Sequence, residues 1–137
     1  MEELAEQVTP TEVFHRLVHA VCDERWDDAI ALYADRTHVS HPFAEDPGPM
    51  LSQEELRHHF TPPPGWVSPI RRQPADILVH ETADPEVIVA EFAYRGVNVA
   101  SGQPFAIPCV FVMRVRDGLI VESRDYIDHV RSARARS

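Results

Sequence analysis

Residues 70–130 read as four strand-length runs with very little chain between them: 70–81, 87–99, 105–116 and 119–130. Ala83-Asp84-Pro85, Ser101-Gly102 and Asp117-Gly118 interrupt them, and the Asp-Gly pair is a strong hairpin signal. Parallel neighbours need a crossover of about a dozen residues or more. These connections are too short for that, so helices cannot sit between the runs and consecutive strands pair antiparallel.

The first half is helical in pattern. Thr9-Pro10-Thr11-Glu12 combines a Thr cap, a first-turn proline and a Glu three residues after the cap. Val13, Phe14, Leu17, Val18 and Val21 then recur at helical spacing and predict an apolar stripe. A second helix is predicted over 25–33, burying Trp26, Ala29, Ile30 and Tyr33. A short strand over 37–41 follows, and Pro42 ends it. Pro47, Gly48 and Pro49 keep 43–50 irregular. Ser52-Gln53-Glu54-Glu55 reads as a capping box that opens a third helix ending at Phe60. Residues 61–69 hold four prolines and a glycine. They read as a crossing from the helical half to the sheet, with Trp66 packed on the body or closing a pocket as a lid. Three helices followed by antiparallel strands is an α+β order.

At 137 residues the chain is expected to form one domain, 1–137, with 1–9 and 131–137 as loose termini. That length supports a core without disulfide or metal staples. Thirteen Lys plus Arg against 22 Asp plus Glu give a formal charge of −9. Such a balance argues against binding a phosphate backbone, so nucleic acid is not an expected partner. Arg131, Arg134 and Arg136 read as a solvated end. Cys22 and Cys109 fall in a helix and a strand pattern and read as small buried hydrophobes rather than a disulfide. The acidic start lacks the apolar region of a secretory signal, and no run approaches membrane-spanning length. No membrane partner is expected, and the expected location is the cytoplasm.

Four stretches carry a family resemblance: Ala31-Leu32-Tyr33-Ala34-Asp35; Val39-Ser40-His41-Pro42; residues 112–121, which span the Asp-Gly turn; and Arg124-Asp125-Tyr126-Ile127-Asp128. In order and spacing they resemble the nuclear transport factor 2-like fold. Its members include ketosteroid isomerase, limonene epoxide hydrolase and the SnoaL-type polyketide cyclases. The resemblance covers about residues 10 to 130. It implies a cone-shaped curved antiparallel sheet wrapped around a long helix, an apolar cavity at the wide end, and a homodimer. Fold alone does not settle chemistry in so varied a family.

His41 stands where ketosteroid isomerase carries its proton-abstracting Asp, and an imidazole can move a proton near neutral pH. Asp125 stands where limonene epoxide hydrolase carries a catalytic carboxylate. Strand alternation puts Val121, Ser123, Asp125, Ile127 and His129 on one face. A carboxyl facing a core has a raised pKa and is a site candidate. The oxyanion donors of ketosteroid isomerase fall on Leu17 and Phe111, neither of which can donate, and the Arg-x-Asp pair of the epoxide hydrolase has no counterpart in 91–96. What remains is closest to the Asp and His acid–base pairing of SnoaL-like cyclases.

The expected function is therefore general acid–base chemistry, without a cofactor, on a small hydrophobic molecule of polyketide or steroid type: isomerisation or ring closure. His41 and Asp125 are the expected proton carriers. Leu17, Tyr94, Phe92, Phe105, Phe111, Ile127 and His129 are the expected substrate contacts, with Phe14 and Ile107 as further apolar lining. Tyr94 could equally pack on the outer face of the sheet. His15 and His19 share a helix face but lack a third ligand, so no metal is expected. His58-His59 reads as surface. The competing expectation is a non-catalytic ligand-binding protein of the same fold.

Overall fold

The computed structural model describes residues 8–137. The loose start expected for 1–9 thus lies, for 1–7, outside the described residues. Helix α1 (Pro10–Cys22) begins at Thr9, whose hydroxyl accepts the Glu12 N–H while the Glu12 carboxylate accepts the Thr9 N–H. Val13, Phe14, Leu17, Val18 and Val21 are its buried stripe, as their spacing predicts. Helix α2 (Trp26–Ile30) is shorter than 25–33. It stops because the next residues join the sheet: the Ile120 N–H donates to Leu32 O, and Tyr33 pairs with Ile120 in parallel.

Strand β1 (Tyr33–Ser40) therefore starts four residues earlier than expected and ends one residue before His41. The segment taken as irregular ends in a short strand, β2 (Met50–Ser52), which pairs antiparallel with β1. Helix α3 (Gln53–Phe60) is capped by Ser52, whose hydroxyl accepts the Glu55 N–H. Glu55 turns back not on Ser52 but on the Leu51 N–H, at 2.8 Å. Residues 61–69 have no regular structure, and Trp66 is partly exposed.

Strands β3 (Ile70–Glu81), β4 (Val87–Asn98), β5 (Pro104–Arg116) and β6 (Leu119–Ile127) are antiparallel neighbours in sequence. Asp117 and Gly118 both take positive φ, 53° and 76°, the hairpin geometry their pair predicts. The sheet order is β2-β1-β6-β5-β4-β3, with β1 parallel to β6. The fold is α+β: a curved six-stranded sheet with helices on its concave side. Helix α1 lies on that side, where Phe14 meets Phe92 and Phe111 edge-on at 5.2 and 6.1 Å between ring centroids. Such aromatic pairs add about 0.5–1.5 kcal/mol each beyond the area they bury.

Two backbone features shape the site. A bulge in β6 shifts the register between Arg114↔Glu122 and Val115↔Ile120. Ile120 and Ser123 are consequently both fully buried, while Val121, placed inward by simple alternation, is only half-buried. Gly96 sits where β3 crosses close to β4, opposite Arg72. A Cβ there would lie 1.9 Å from the Arg71 carbonyl oxygen, so the approach tolerates no side chain. After Ile127 the chain leaves the sheet. The expected strand to 130 and loose tail 131–137 are replaced by helix α4 (His129–Arg136), started by Asp128, whose carboxylate accepts the Arg131 N–H at 2.9 Å.

Candidate functional site

The parallel pairing of β1 with β6 creates the site. Ser40 lies beside Arg124, so the next step along both chains brings His41 beside Asp125. The His41 N–H donates to Pro47 O and its carbonyl accepts from Ala44, both at 2.9 Å, which pins the residue at the mouth of the 41–49 loop. Its Nε2 lies 3.7 Å from Asp125 Oδ2, with side-chain exposures of 16% and 7%. Ser123, fully buried on the same strand, donates its hydroxyl to Asp125 Oδ1 at 2.5 Å.

Burial controls the protonation of this pair. It pushes the Asp125 carboxyl up to about 7, against the lowering effect of the Ser123 hydrogen bond. It pushes His41 down to about 4, assisted by His59 and His129. Over that interval both groups are neutral. The low-dielectric surroundings outweigh the attraction an ion pair at 3.7 Å would supply. Near neutrality Asp125 stands half-ionised beside an uncharged imidazole.

Both groups line a cavity of about 380 Å³ between α1, the sheet, α3 and α4. Leu17, Tyr94, Phe111, Ile127 and His129 line it as well, together with Ile107. Tyr94 thus faces inward and is buried. The His129 Nε2 is buried and, among the described residues, has no hydrogen-bond partner. Three expected lining residues lie elsewhere. Phe14 and Phe92 are core: Phe92 is wedged among Phe14, Phe111 and Tyr94, with centroids 5.0–5.2 Å apart, behind the cavity wall. Phe105 points to a shallow groove where α4 packs on β5. Arg131, Arg134 and Ala135 of the unforeseen helix line that groove beside it.

The cavity also gains members that sequence reasoning did not assign to a site. Tyr33, placed in a helix core, is inward on β1 and buried at 2%. Its hydroxyl pKa is raised well above the ordinary value by burial and by the neighbouring Asp125 and Tyr94. Tyr94 is raised too, chiefly by burial, so both phenols keep their protons. No hydrogen bond among the described residues engages either hydroxyl. His59, although surface-exposed, lines the cavity with its ring 5.4 Å from that of His41, and its pKa is lowered by burial. Arg72 and Arg136 complete the lining.

Cys22 and Cys109 are free thiols, raised by burial to about 11 and about 12, and so are poor nucleophiles. Among the described residues no group of three or more His, Cys, Asp or Glu side chains is placed to hold a metal ion. No helix among them is long and apolar enough to cross a membrane.

A curved sheet closed by helices over a pocket defines the class of cone-shaped α+β proteins to which ketosteroid isomerase-like folds belong. Residues 14–123 match the SnoaL-like domain model, and the chain is a member of that family. A stretch of 60 residues is 38% identical to an uncharacterised PhzA/B-like protein of Pseudomonas aeruginosa. That stretch is 44% of this chain and spans 43% of the relative. Among solved structures, a candidate isomerase of Bacillus subtilis superposes with a TM-score of 0.79 at 20% identity, over 98% of this chain and 95% of that one. A Mycobacterium tuberculosis protein in complex with estradiol-17β-hemisuccinate superposes at 0.65 and 17% identity, over 87% and 93%. At these identities the likeness establishes the fold.

Proposed function

We propose that the protein is a cofactor-free enzyme that moves a proton next to a carbonyl of a small hydrophobic molecule, catalysing isomerisation or ring closure. The observation that carries this reading is the buried Asp125 carboxyl, bonded to Ser123 and 3.7 Å from His41 Nε2 in a cavity of about 380 Å³, where burial pushes its pKa up to about 7. A base with a pKa near the working pH combines adequate basicity with a useful ionised fraction. Asp125 takes the proton from carbon. His41, uncharged above about pH 4, passes it between positions without quenching the carboxylate as a fixed cation would. Tyr33 and Tyr94 donate to the oxygen on which negative charge develops, in place of the donors missing at Leu17 and Phe111. The unpartnered His129 nitrogen is available to a further polar group of the ligand. Leu17, Ile107, Phe111 and Ile127 exclude water from the reacting carbon. The volume suits one or two fused rings. The homodimer that the resemblance implies belongs to this proposal, and sedimentation velocity tests it.

The apolar residues at Leu17 and Phe111 favour a second reading, a ligand-binding protein without turnover. Incubation with cyclic and aryl ketones in deuterated buffer separates the two. The enzyme reading expects deuterium to enter the α-carbon at a rate that rises through about pH 7 and is lost in Asp125→Asn. Binding of the same ketones with no exchange above the buffer rate would establish the second reading instead.

A further inference from the structure

All thirteen cations of this chain are arginines, because the sequence holds no lysine. Eight of them have a carboxylate within 4.0 Å: Arg16, Arg25, Arg57, Arg95, Arg114, Arg116, Arg124 and Arg131. In a chain with 22 acidic residues such pairing is the expected state. Arg72 and Arg136 are two of the five outside it, the others being Arg36, Arg71 and Arg134. Among the described residues neither has a carboxylate at that distance, and both line the cavity.

They are brought there from distant parts of the chain. Arg72 lies on β3, opposite Gly96, where the absent side chain lets β3 approach closely. Its guanidinium sits 4.5 Å from the centroid of the Tyr94 ring, which fixes the group against the cavity wall. Arg136 comes from the last turn of α4, where its Nε is held 3.4 Å from Ser132 Oγ. Burial and the charge of Arg72 lower the pKa of Arg136, so the two cations act on each other across the same space. Among the described residues the cavity's only carboxyls are Asp125 and Asp46, and they offset part of this charge. Burial pushes His41 down to about 4 and lowers His59, which disfavours their charged forms, and it pushes Asp125 up to about 7. Asp46, on the rim, is exposed, and its Oδ1 accepts the Gly48 N–H.

Arg72 and Arg136 also line a second groove of about 360 Å³ under the 61–69 segment, walled by Trp26, Phe60 and Trp66, with Glu24 as its one acidic lining residue among the described residues. They therefore stand between an aromatic groove and the proton-transfer pair. We infer that Arg72 and Arg136 form an anion subsite and that the natural ligand is a small hydrophobic organic acid. Its carboxylate is held by the two guanidinium groups while its apolar body reaches toward His41 and Asp125. Planar guanidinium groups match a planar carboxylate with paired N–H donors. Holding that end fixes the distance to the reacting carbon, which is how a remote charge serves catalysis.

The inference builds on the acid–base reading of the same cavity, and the test separates the two. Affinities of phenylacetate, naphthylacetate and benzoylpropionate are measured by calorimetry at pH 7, each against its uncharged carboxamide. The wild type should prefer the acids by about tenfold or more, the worth of a charge-assisted hydrogen bond in a partly desolvated site. Arg136→Gln, on the exposed last turn, and Arg72→Gln, checked by thermal melting, should each shrink that preference, and the double variant should abolish it. Asp125→Asn should retain it. Equal affinity for acids and amides in the wild type, or no binding of any acid, would overturn the subsite. Retained acid preference without deuterium exchange would overturn the enzyme reading alone and leave the subsite standing.

Discussion

The Arg114 cluster at the β3–β4 turn and the His41–Asp125 pair in the cavity put one kind of chemistry to contrary use. At the turn, Arg114 and Arg116 each donate to Glu86 at 2.9 Å, and Arg114 donates to Asp84 at the same distance. Hydrogen bonds from Arg116 and Arg114 hold Glu86 down at about 2. The Glu86 N–H and then Arg114 hold Asp84 low. Those carboxylates are ionised at every ordinary pH, in contact with water. Asp125 has a serine and an imidazole for partners and almost no water, and it is pushed up to about 7. An arginine keeps its proton beside a carboxylate, whereas a buried histidine loses its own to the same desolvation that protonates the acid. Permanent pairing makes a carboxyl inert, and burial beside a group that can also go neutral keeps it responsive.

The sharpest way to break this contrast is Asp125→Asn, which keeps the shape and removes the ionisable group. Deuterium incorporation into a bound ketone should fall by about 1,000-fold, in the range of a lost general base. A fall under about threefold would leave Asp125 a structural carboxyl. Tyr33→Phe comes next. Losing one of two phenolic donors should lower the exchange rate by about 30-fold with little change in ketone affinity, the signature of a contact that strengthens in the transition state.

Stability against pH gives a smaller but separate effect. Between pH 4 and 7 Asp125 is protonated when folded and ionised when unfolded, starting from its ordinary 3.8. Folding takes up a proton there, so this group's contribution falls as pH rises. His41, moved from 6.5 to about 4, is neutral when folded and charged when unfolded, so its contribution is lost as pH falls through that window. The two slopes oppose each other from pH 4 to 6.5. Removing Asp125 with Asn should steepen the rise of unfolding free energy with pH by about 1.4 kcal/mol per unit relative to wild type, and His41→Gln should tilt it the other way by the same amount. Urea titrations at half-unit steps would show this, and parallel curves for all three proteins would deny that either group is perturbed.

The antiparallel pairing of β3 to β6 was readable because their turns are short and Asp117-Gly118 marks a hairpin. What escaped had specific physical causes. Tyr33 ends a helical pattern, and only the tertiary ladder to Ile120 recruits it into β1. The β6 bulge defeats a period-two count and brings Ile120 inward in place of Val121. The α4 sequence is short and arginine-rich, with Val130 its one large apolar residue, and so reads as a tail until it docks through the buried Ala135. His41 and Asp125 were visible as motif positions. Their meeting depends on a parallel register between strands far apart in the chain, which no local pattern encodes. Arg72 did leave a trace: Arg71 and Arg72 are adjacent on one strand, and alternation sends one of two such neighbours inward.

The smallest expected effect completes the comparison. Glu86→Gln removes the central carboxylate of the surface cluster, which accepts three hydrogen bonds from Arg114 and Arg116. By count of contacts it should matter more than Asp125. By physics it should not, because exposed pairs gain little Coulomb energy in water and are screened further by salt. Exchange rates should be unchanged, and the melting temperature in about 0.5 M salt, where the Debye length is below ~5 Å, should match wild type. A variant that lost exchange activity while melting normally would mean that the cluster's field reaches the cavity. The contrast between paired and unpaired carboxyls would then be one connected electrostatic system rather than two independent ones.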